Sequence, residues 1–244
     1  MMFDIQKSPK TYARFSGLLY LLIAISGGFS MGYVPSVIID SGDAAATTQN
    51  ILNNSGLFRL AILGDIVVLL FEVVLTVMLY QLFKPINRTL SLVAAFSRLA
   101  MAMVMGVNLL NYLVPLQLLS GSEYFDVFEP AQMESLALLF LECHQYGVYI
   151  WGLFFGLHLI ALGYLVFQSG YFPKVLGLLM MIGSFGYSFE SMSAITQSTY
   201  ETLSIFINLL LVIAVVGELS FTFWLLIKSI DVDKLRRINK QQEF

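Results

Sequence analysis

The stretch Phe71-Glu72-Val73-Val74-Leu75-Thr76-Val77-Met78-Leu79-Tyr80-Gln81-Leu82-Phe83-Lys84-Pro85-Ile86-Asn87-Arg88 decides the fold. It closes a long apolar run, holds a single acid, Glu72, and stops at a short basic turn. Pro85 cannot sit inside a helix without losing a backbone hydrogen bond, so the run ends there. A second apolar run follows and carries Arg98 about as far from the turn as Glu72. A charge at the centre of a bilayer costs roughly 2.5–3.5 kcal/mol on insertion scales, so such residues usually face the protein interior. Two apolar helices with opposite charges at matched distances from a basic turn read as a membrane hairpin with an ion pair inside it.

The same reading extends over the whole chain. Of the 244 residues, 58% are hydrophobic and 12% charged; soluble domains run near 25% charged. A span needs about 20 apolar residues. Six segments qualify: about 13–33, 58–83, 90–118, 144–167, 174–195 and 203–228. No polar block is long enough for a separate soluble domain, so residues 1–244 read as one membrane domain. The run from Phe15 to Val34 is too long for a signal peptide, and no small-residue cleavage site follows it. The single cysteine, Cys143, excludes an intrachain disulfide.

Charge sets the expected orientation. Lys7, Lys10 and Arg14, then Lys84 and Arg88, then Lys174, then Lys228, Lys234, Arg236, Arg237 and Lys240 fall on one side of a six-helix chain. The opposite loops, 34–57, 119–143 and 196–202, hold acids and no Lys or Arg. Cytoplasmic loops carry the basic excess, so both termini are expected in the cytoplasm. Short helices are expected in the outer loops. Asp43 can cap one over residues 44–54. Pro130 suits a first helical position and opens another that runs towards the fourth span. From Pro130 to Gln168 a single helix would be about 58 Å long, against a hydrocarbon core of roughly 30 Å. One long, protruding helix is the alternative to a break or bend near His144–Gly147, which is the preferred expectation, with 131–142 lying over the outer mouth.

Counted from the basic ends, Glu72, Arg98, His158 and Glu218 all lie roughly 15 Å deep, at the midplane. Asp65, Asn108, Asn111 and Glu190 lie nearer the outside. Helical spacing puts Asp65, Glu72 and Thr76 on one stripe, and Arg98, Met101, Met105, Asn108 and Tyr112 on another. Gly183, Gly186, Glu190 and Ser193 align in the fifth span, and Asn208, Val215, Glu218 and Thr222 in the sixth. Four buried acids face one certain cation, and all four cannot cheaply stay ionised in a low-dielectric interior. The glycine pairs Gly152-x-x-x-Gly156 and Gly28-x-x-x-Gly32 are expected at close helix contacts.

Other chemistries are poorly served. His144 and His158 are about 21 Å apart along one helix, a spacing that invites two haems. They are the only histidines, however, so each haem would need another residue type as its second axial ligand. No metal is expected, since one cysteine and two histidines offer no paired-ligand spacing. Cys143 and His144 diverge by about 100° on a helix and cannot form a dyad. No zincin, nucleophile-elbow or phosphate-loop motif is present. The basic tail beside a membrane favours anionic lipid over nucleic acid as its partner.

Several strings, taken in order, carry a family likeness. They are Ala13-Arg14-Phe15-Ser16-Gly17-Leu18-Leu19-Tyr20-Leu21, Gly42-Asp43-Ala44-Ala45-Ala46-Thr47 with Asn50-Ile51, Leu57-Phe58-Arg59, and Leu79-Tyr80-Gln81-Leu82-Phe83-Lys84-Pro85. Arg98, His144, Phe154-Phe155-Gly156-Leu157-His158, Gly163-Tyr164-Leu165 and Ser169-Gly170-Tyr171-Phe172-Pro173-Lys174 with Leu176-Gly177 continue it. The chain resembles a bacterial family of multi-pass membrane proteins catalogued as domain of unknown function 4386. Lys174 stands where that pattern favours Arg, which keeps the charge. The resemblance implies a bacterial cytoplasmic-membrane protein of about six helices, and no activity.

The residues thus point to an all-α, six-helix membrane bundle around a polar cavity. Asp65, Glu72, Arg98, Asn108, His144, His158, Glu190 and Glu218 are the candidates for ligand binding or proton linkage; no cofactor or substrate can be named. A carrier or sensor of a small molecule or protons is the leading reading. A membrane-embedded enzyme using His144, Glu142 or His158 and a structural or assembly protein are the alternatives.

Overall fold

The computed structural model describes residues 5–197 and 201–241, and within them every side chain except those of Tyr124 and 239–241. Residues 198–200 of the last loop and the side chain of Lys240 thus lie outside the described residues. Helices make up the fold, and no strand occurs among the described residues. Six helical stretches are long and apolar enough to cross a membrane: Pro9–Ile38, Ser55–Phe83, Arg88–Leu118, Pro130–Ser169, Lys174–Ile195 and Glu201–Ile227. The surface confirms their solvent. Leu70, Phe96, Val107 and Ile205 are each more than 60% exposed, while Asp65, Glu72, Arg98 and His158 are buried. Charge inside and bulky apolar side chains outside is the arrangement hydrocarbon selects.

Two spans depart from simple helices, and a third departs from expectation. The first consists of α1 (Pro9–Gly27), a π-helical turn (Gly28–Tyr33) and α2 (Val34–Ile38). Pro35 has no N–H to return to the carbonyl of Met31, and the wider turn accommodates that gap: the N–H of Val34 reaches back to the carbonyl of Phe29. Gly28 and Gly32, expected at a close helix contact, lie in this turn with open space where a Cβ would point. The third span is interrupted at Leu109, between α5 (Arg88–Asn108) and α6 (Leu110–Leu118), with Pro115 inside the second piece. The fourth span corrects an expectation. In place of a helix at about 144–167 preceded by a break, α7 runs unbroken over Pro130–Ser169 for 40 residues. Gly147 is no hinge: the side-chain amide of Asn108 fills the space a Cβ would need.

Between these lie α3 (Ala44–Asn53) and α4 (Ser55–Phe83). Asp43 caps α3 as its carboxylate accepts the N–H of Ala46 at 2.8 Å, and Asn87 caps α5 through the N–H of Leu90 at 2.9 Å. The remaining helices are α8 (Lys174–Ile195), α9 (Glu201–Ile227) and α10 (Val232–Gln241).

The chain divides into two compact units, residues 1–22, 71–102 and 149–244 in the first and 23–70 with 103–148 in the second. In the first unit small residues set the helix contacts. Gly183 of α8 lies against Ala214 of α9, and a Cβ on Gly186 would come within 2.8 Å of the Leu211 nitrogen. Gly152 and Gly156 of α7 face Ser191 and Ser188 of α8 as the glycine spacing predicts, each leaving only 2.7 Å for a Cβ. Phe83, Tyr171, Phe172 and Phe221 form an aromatic cluster at the basic ends of the helices. Tyr171 donates to the Leu82 carbonyl at 2.7 Å, and burial pushes its phenol well above the ordinary range, so it stays a donor. The second unit is held by an apolar cluster in which Val34, Ile38, Ile51, Phe58, Tyr112 and Leu141 meet.

Candidate functional site

Arg98 is the centre of the first unit. It is 1% exposed, yet each side of its guanidinium is matched. Nη2 donates to Glu72 Oε1 at 3.0 Å, and Nε lies 2.5 Å from Glu72 Oε2. The tight turn at 84–87 places these two residues on antiparallel helices, as the matched depths predict. Nη1 approaches His158 Nε2 at 2.9 Å. The ring of Tyr20 lies under the guanidinium carbon, 4.7 Å from its centroid.

Geometry also fixes the His158 tautomer. Its Nδ1 lies 2.8 Å from the carbonyl of Ala94, which can only accept, so Nδ1 carries the proton. Nε2 is then the lone pair that accepts from Arg98. Both ring nitrogens are spent, and His158 is available neither as a haem ligand nor as a general base.

Glu218 stands beside this group without joining it. Its two oxygens accept the hydroxyls of Tyr187 at 3.3 Å and Tyr20 at 3.4 Å. Both bonds are long, and Glu218 is only half-buried. Tyr187 is oriented by Phe155 and Trp151, edge-on at 4.8 and 6.0 Å between ring centroids. Glu190 lies about one turn further along α8 and is half-buried; it is not part of the hydrogen-bonded group. The expected interior stripe of α9 is half right. Thr222 is buried, but Asn208 and Val215 face outwards; the buried line is Ile207, Leu210, Ala214, Gly217, Phe221 and Leu225, with Glu218 at its edge.

Asp65, Asn108 and His144 belong to the second unit. The π-helical turn brings the Ser30 hydroxyl to Asp65 Oδ1. Asn108 donates to the backbone carbonyl of His144 at 2.9 Å and accepts from Asn111 at 2.8 Å. The His144 ring stacks on Tyr112 with centroids 3.6 Å apart. Asp65 Oδ2 and His144 Nε2 are buried and make no hydrogen bond. No cluster of three or more His, Cys, Asp or Glu side chains with metal-holding geometry occurs among the described residues. Glu142 is exposed where His144 is buried, so the acid that the enzymatic reading recruits points away from it; Cys143 is exposed too, in keeping with the divergence expected of it.

The sequence reading missed Tyr20, Tyr187 and Ser30 as functional partners. A signal existed for the tyrosines: Tyr20 closes the buried line Ala13, Ser16, Gly17, and Tyr187 follows Gly183 and Gly186. Ser30 had none, because the π turn shifts it out of helical register.

The profile of the family described as a domain of unknown function (DUF4386) matches residues 15–229, and the chain belongs to that family. An uncharacterised protein of Archaeoglobus fulgidus is 27% identical over 169 residues, covering 69% of this chain and 83% of its own length. No solved structure matches the chain significantly.

Proposed function

We propose that this protein is a carrier or sensor of protons or a small cationic or polar molecule in the bacterial cytoplasmic membrane, with both termini in the cytoplasm. One observation carries the reading: among the described residues, Glu218 is paired with no cation of its own. The nearby guanidinium of Arg98 is taken by Glu72 through two contacts and by His158 through a third. Glu218 receives only two long hydroxyl bonds. With Glu72 and Arg98 paired, the group is neutral when Glu218 is protonated and carries one uncompensated charge when it is not. An uncompensated intramembrane carboxylate is the group a proton- or cation-linked process requires. The saturated trio Glu72, Arg98 and His158 favours a second, structural role for those residues, which hold α4, α5 and α7 together around the working acid.

The test uses Trp151, whose ring lies edge-on to Tyr187. In the full-length protein with Trp224→Phe, emission should change with pH between about pH 5 and 8, the interval where protein stability is usually greatest. Glu218→Gln keeps the shape and both hydroxyl contacts and should abolish that change, whereas Glu190→Gln should leave it. A pH response that survives Glu218→Gln, or none in the parent protein, overturns the proposal.

A further inference from the structure

The structure assigns a second site, for the phosphate of an anionic phospholipid headgroup, to a groove at the basic ends of α8 and α9. The groove encloses about 420 Å³ between the α7–α8 turn and the chain leading into α10, with Trp224, Lys228, Asp231 and Lys234 around it. It lies where two apolar spans stop: α9 ends at Ile227 and α8 begins at Lys174. That level is the boundary between hydrocarbon and water, where Trp is enriched and headgroup phosphates reside.

Three observations favour an anion there. Lys228 is exposed at the rim. Lys234 is fixed in place, its ammonium donating to the Gly170 carbonyl at 2.7 Å. Asp231, the acid of the groove, is already engaged: its Oδ1 accepts the backbone N–H groups of Lys234 and Asp233 at 3.2 Å and caps α10, and its Oδ2 lies 3.7 Å from the Lys234 ammonium, so among the described residues Lys228 is the groove cation that no ion pair engages. The amide of Lys234 is the first cause that holds this carboxyl below its usual range. Lys228, Lys234, Arg236 and Arg237, all exposed, outnumber Asp231 and Asp233, so this region is basic.

Two further observations favour a lipid over free phosphate. The groove adjoins the outward apolar face of α9, where Phe223 is 46% and Ile227 65% exposed, so acyl chains below a seated headgroup would have a wall to lie on. Helix α10, whose Lys234 lines the groove, packs Leu235 into the protein and leaves Arg236 and Arg237 exposed, basic charge that an anionic bilayer surface attracts.

Brominated lipids test this in the full-length chain carrying Trp151→Phe, which leaves Trp224 as the only tryptophan. Vesicles holding equal fractions of brominated phosphatidylglycerol or brominated phosphatidylcholine are compared. Phosphatidylglycerol should quench Trp224 at several-fold lower mole fraction. Lys228→Gln removes one exposed charge and should weaken that preference about fivefold. Native mass spectrometry of the unaltered protein should retain phosphatidylglycerol over phosphatidylcholine, a readout independent of either substitution. Inorganic phosphate should leave the quenching unchanged. Equal quenching by the two lipids, a preference indifferent to Lys228→Gln, or displacement by inorganic phosphate would each overturn the assignment.

Discussion

Arg98 and His158 share a hydrogen bond of 2.9 Å in which the imidazole, tied through Nδ1 to the Ala94 carbonyl at 2.8 Å, can only be the acceptor. A histidine at mid-membrane is ordinarily read as a proton carrier. Here its ring is a spacer between a guanidinium and a backbone carbonyl, and the proton sits on the nitrogen that faces the carbonyl.

Nitrogen-15 NMR of histidine-labelled protein should accordingly show His158 as the neutral Nδ1–H tautomer. His158→Ala would strand an Arg98 N–H and lower stability by about 1–3 kcal/mol, the usual loss when a buried partner is removed. An Nε2–H signal for His158 would refute the arrangement.

The Glu72–Arg98 pair makes a prediction of opposite form. Removing one member of a buried pair leaves an uncompensated charge and costs about 3–5 kcal/mol, whereas removing both leaves none. Arg98→Ala and Glu72→Ala should each lower the detergent melting temperature sharply, and the double variant should recover part of the loss. Strict additivity would mean the two are not partners.

Gly156 of α7 lies against Ser188 and the Ser184 carbonyl, where a Cβ would come within 2.7 and 3.1 Å. Small residues at such contacts let two backbones approach. Gly156→Val should therefore destabilise the fold by about 1–3 kcal/mol, the range for overpacking a tight contact. Gly32→Val faces open space, so its measured loss should be smaller. Equal losses would show that helix propensity, not packing, governs both sites.

These outcomes separate what was legible in the sequence from what was not. The Glu72–Arg98 pair was readable because a tight turn forces antiparallel helices, so equal distances from the turn mean equal depth. The capping of α3 by Asp43 was readable because it is local. His158 was placed at the right depth, but depth carries no information about which of six helices a side chain will meet. The π turn left no periodic trace, so Ser30 went unnoticed and Gly28 and Gly32 were assigned to packing. The expected break near His144–Gly147 came from matching helix length to bilayer thickness. That argument bounds the part inside the membrane and does not stop a helix from continuing beyond it. Gly147, at the end of that stretch, serves to admit the Asn108 side chain.

Charge placement alone predicts the topology. A reporter active only outside the cytoplasm should work when fused after Asn54 or Gly121 and be silent after Arg88 or at the C-terminus. An active C-terminal fusion would contradict the proposed orientation.

Asp65 and Ser30 give the sharpest test of the second unit. The Ser30 hydroxyl donates to Asp65 Oδ1, whereas Oδ2 is buried with no partner. Asp65→Asn keeps an acceptor oxygen for Ser30 and removes the acidic group. Ser30→Ala keeps the acid and deprives it of its donor. If the carboxyl is held mainly by this bond, Ser30→Ala should lower stability by about 1–3 kcal/mol, the price of stranding a buried polar group. Asp65→Asn should then cost less, because no charge remains to be solvated. Thermal denaturation of the two single variants and the double one decides the matter. The double variant should fall short of the summed losses, since the two residues share one interaction. Should Asp65→Asn prove the more damaging change, the charge of Asp65 itself would be what the unit requires, and a cation or a bound donor at the unpartnered oxygen would have to supply what Ser30 does not.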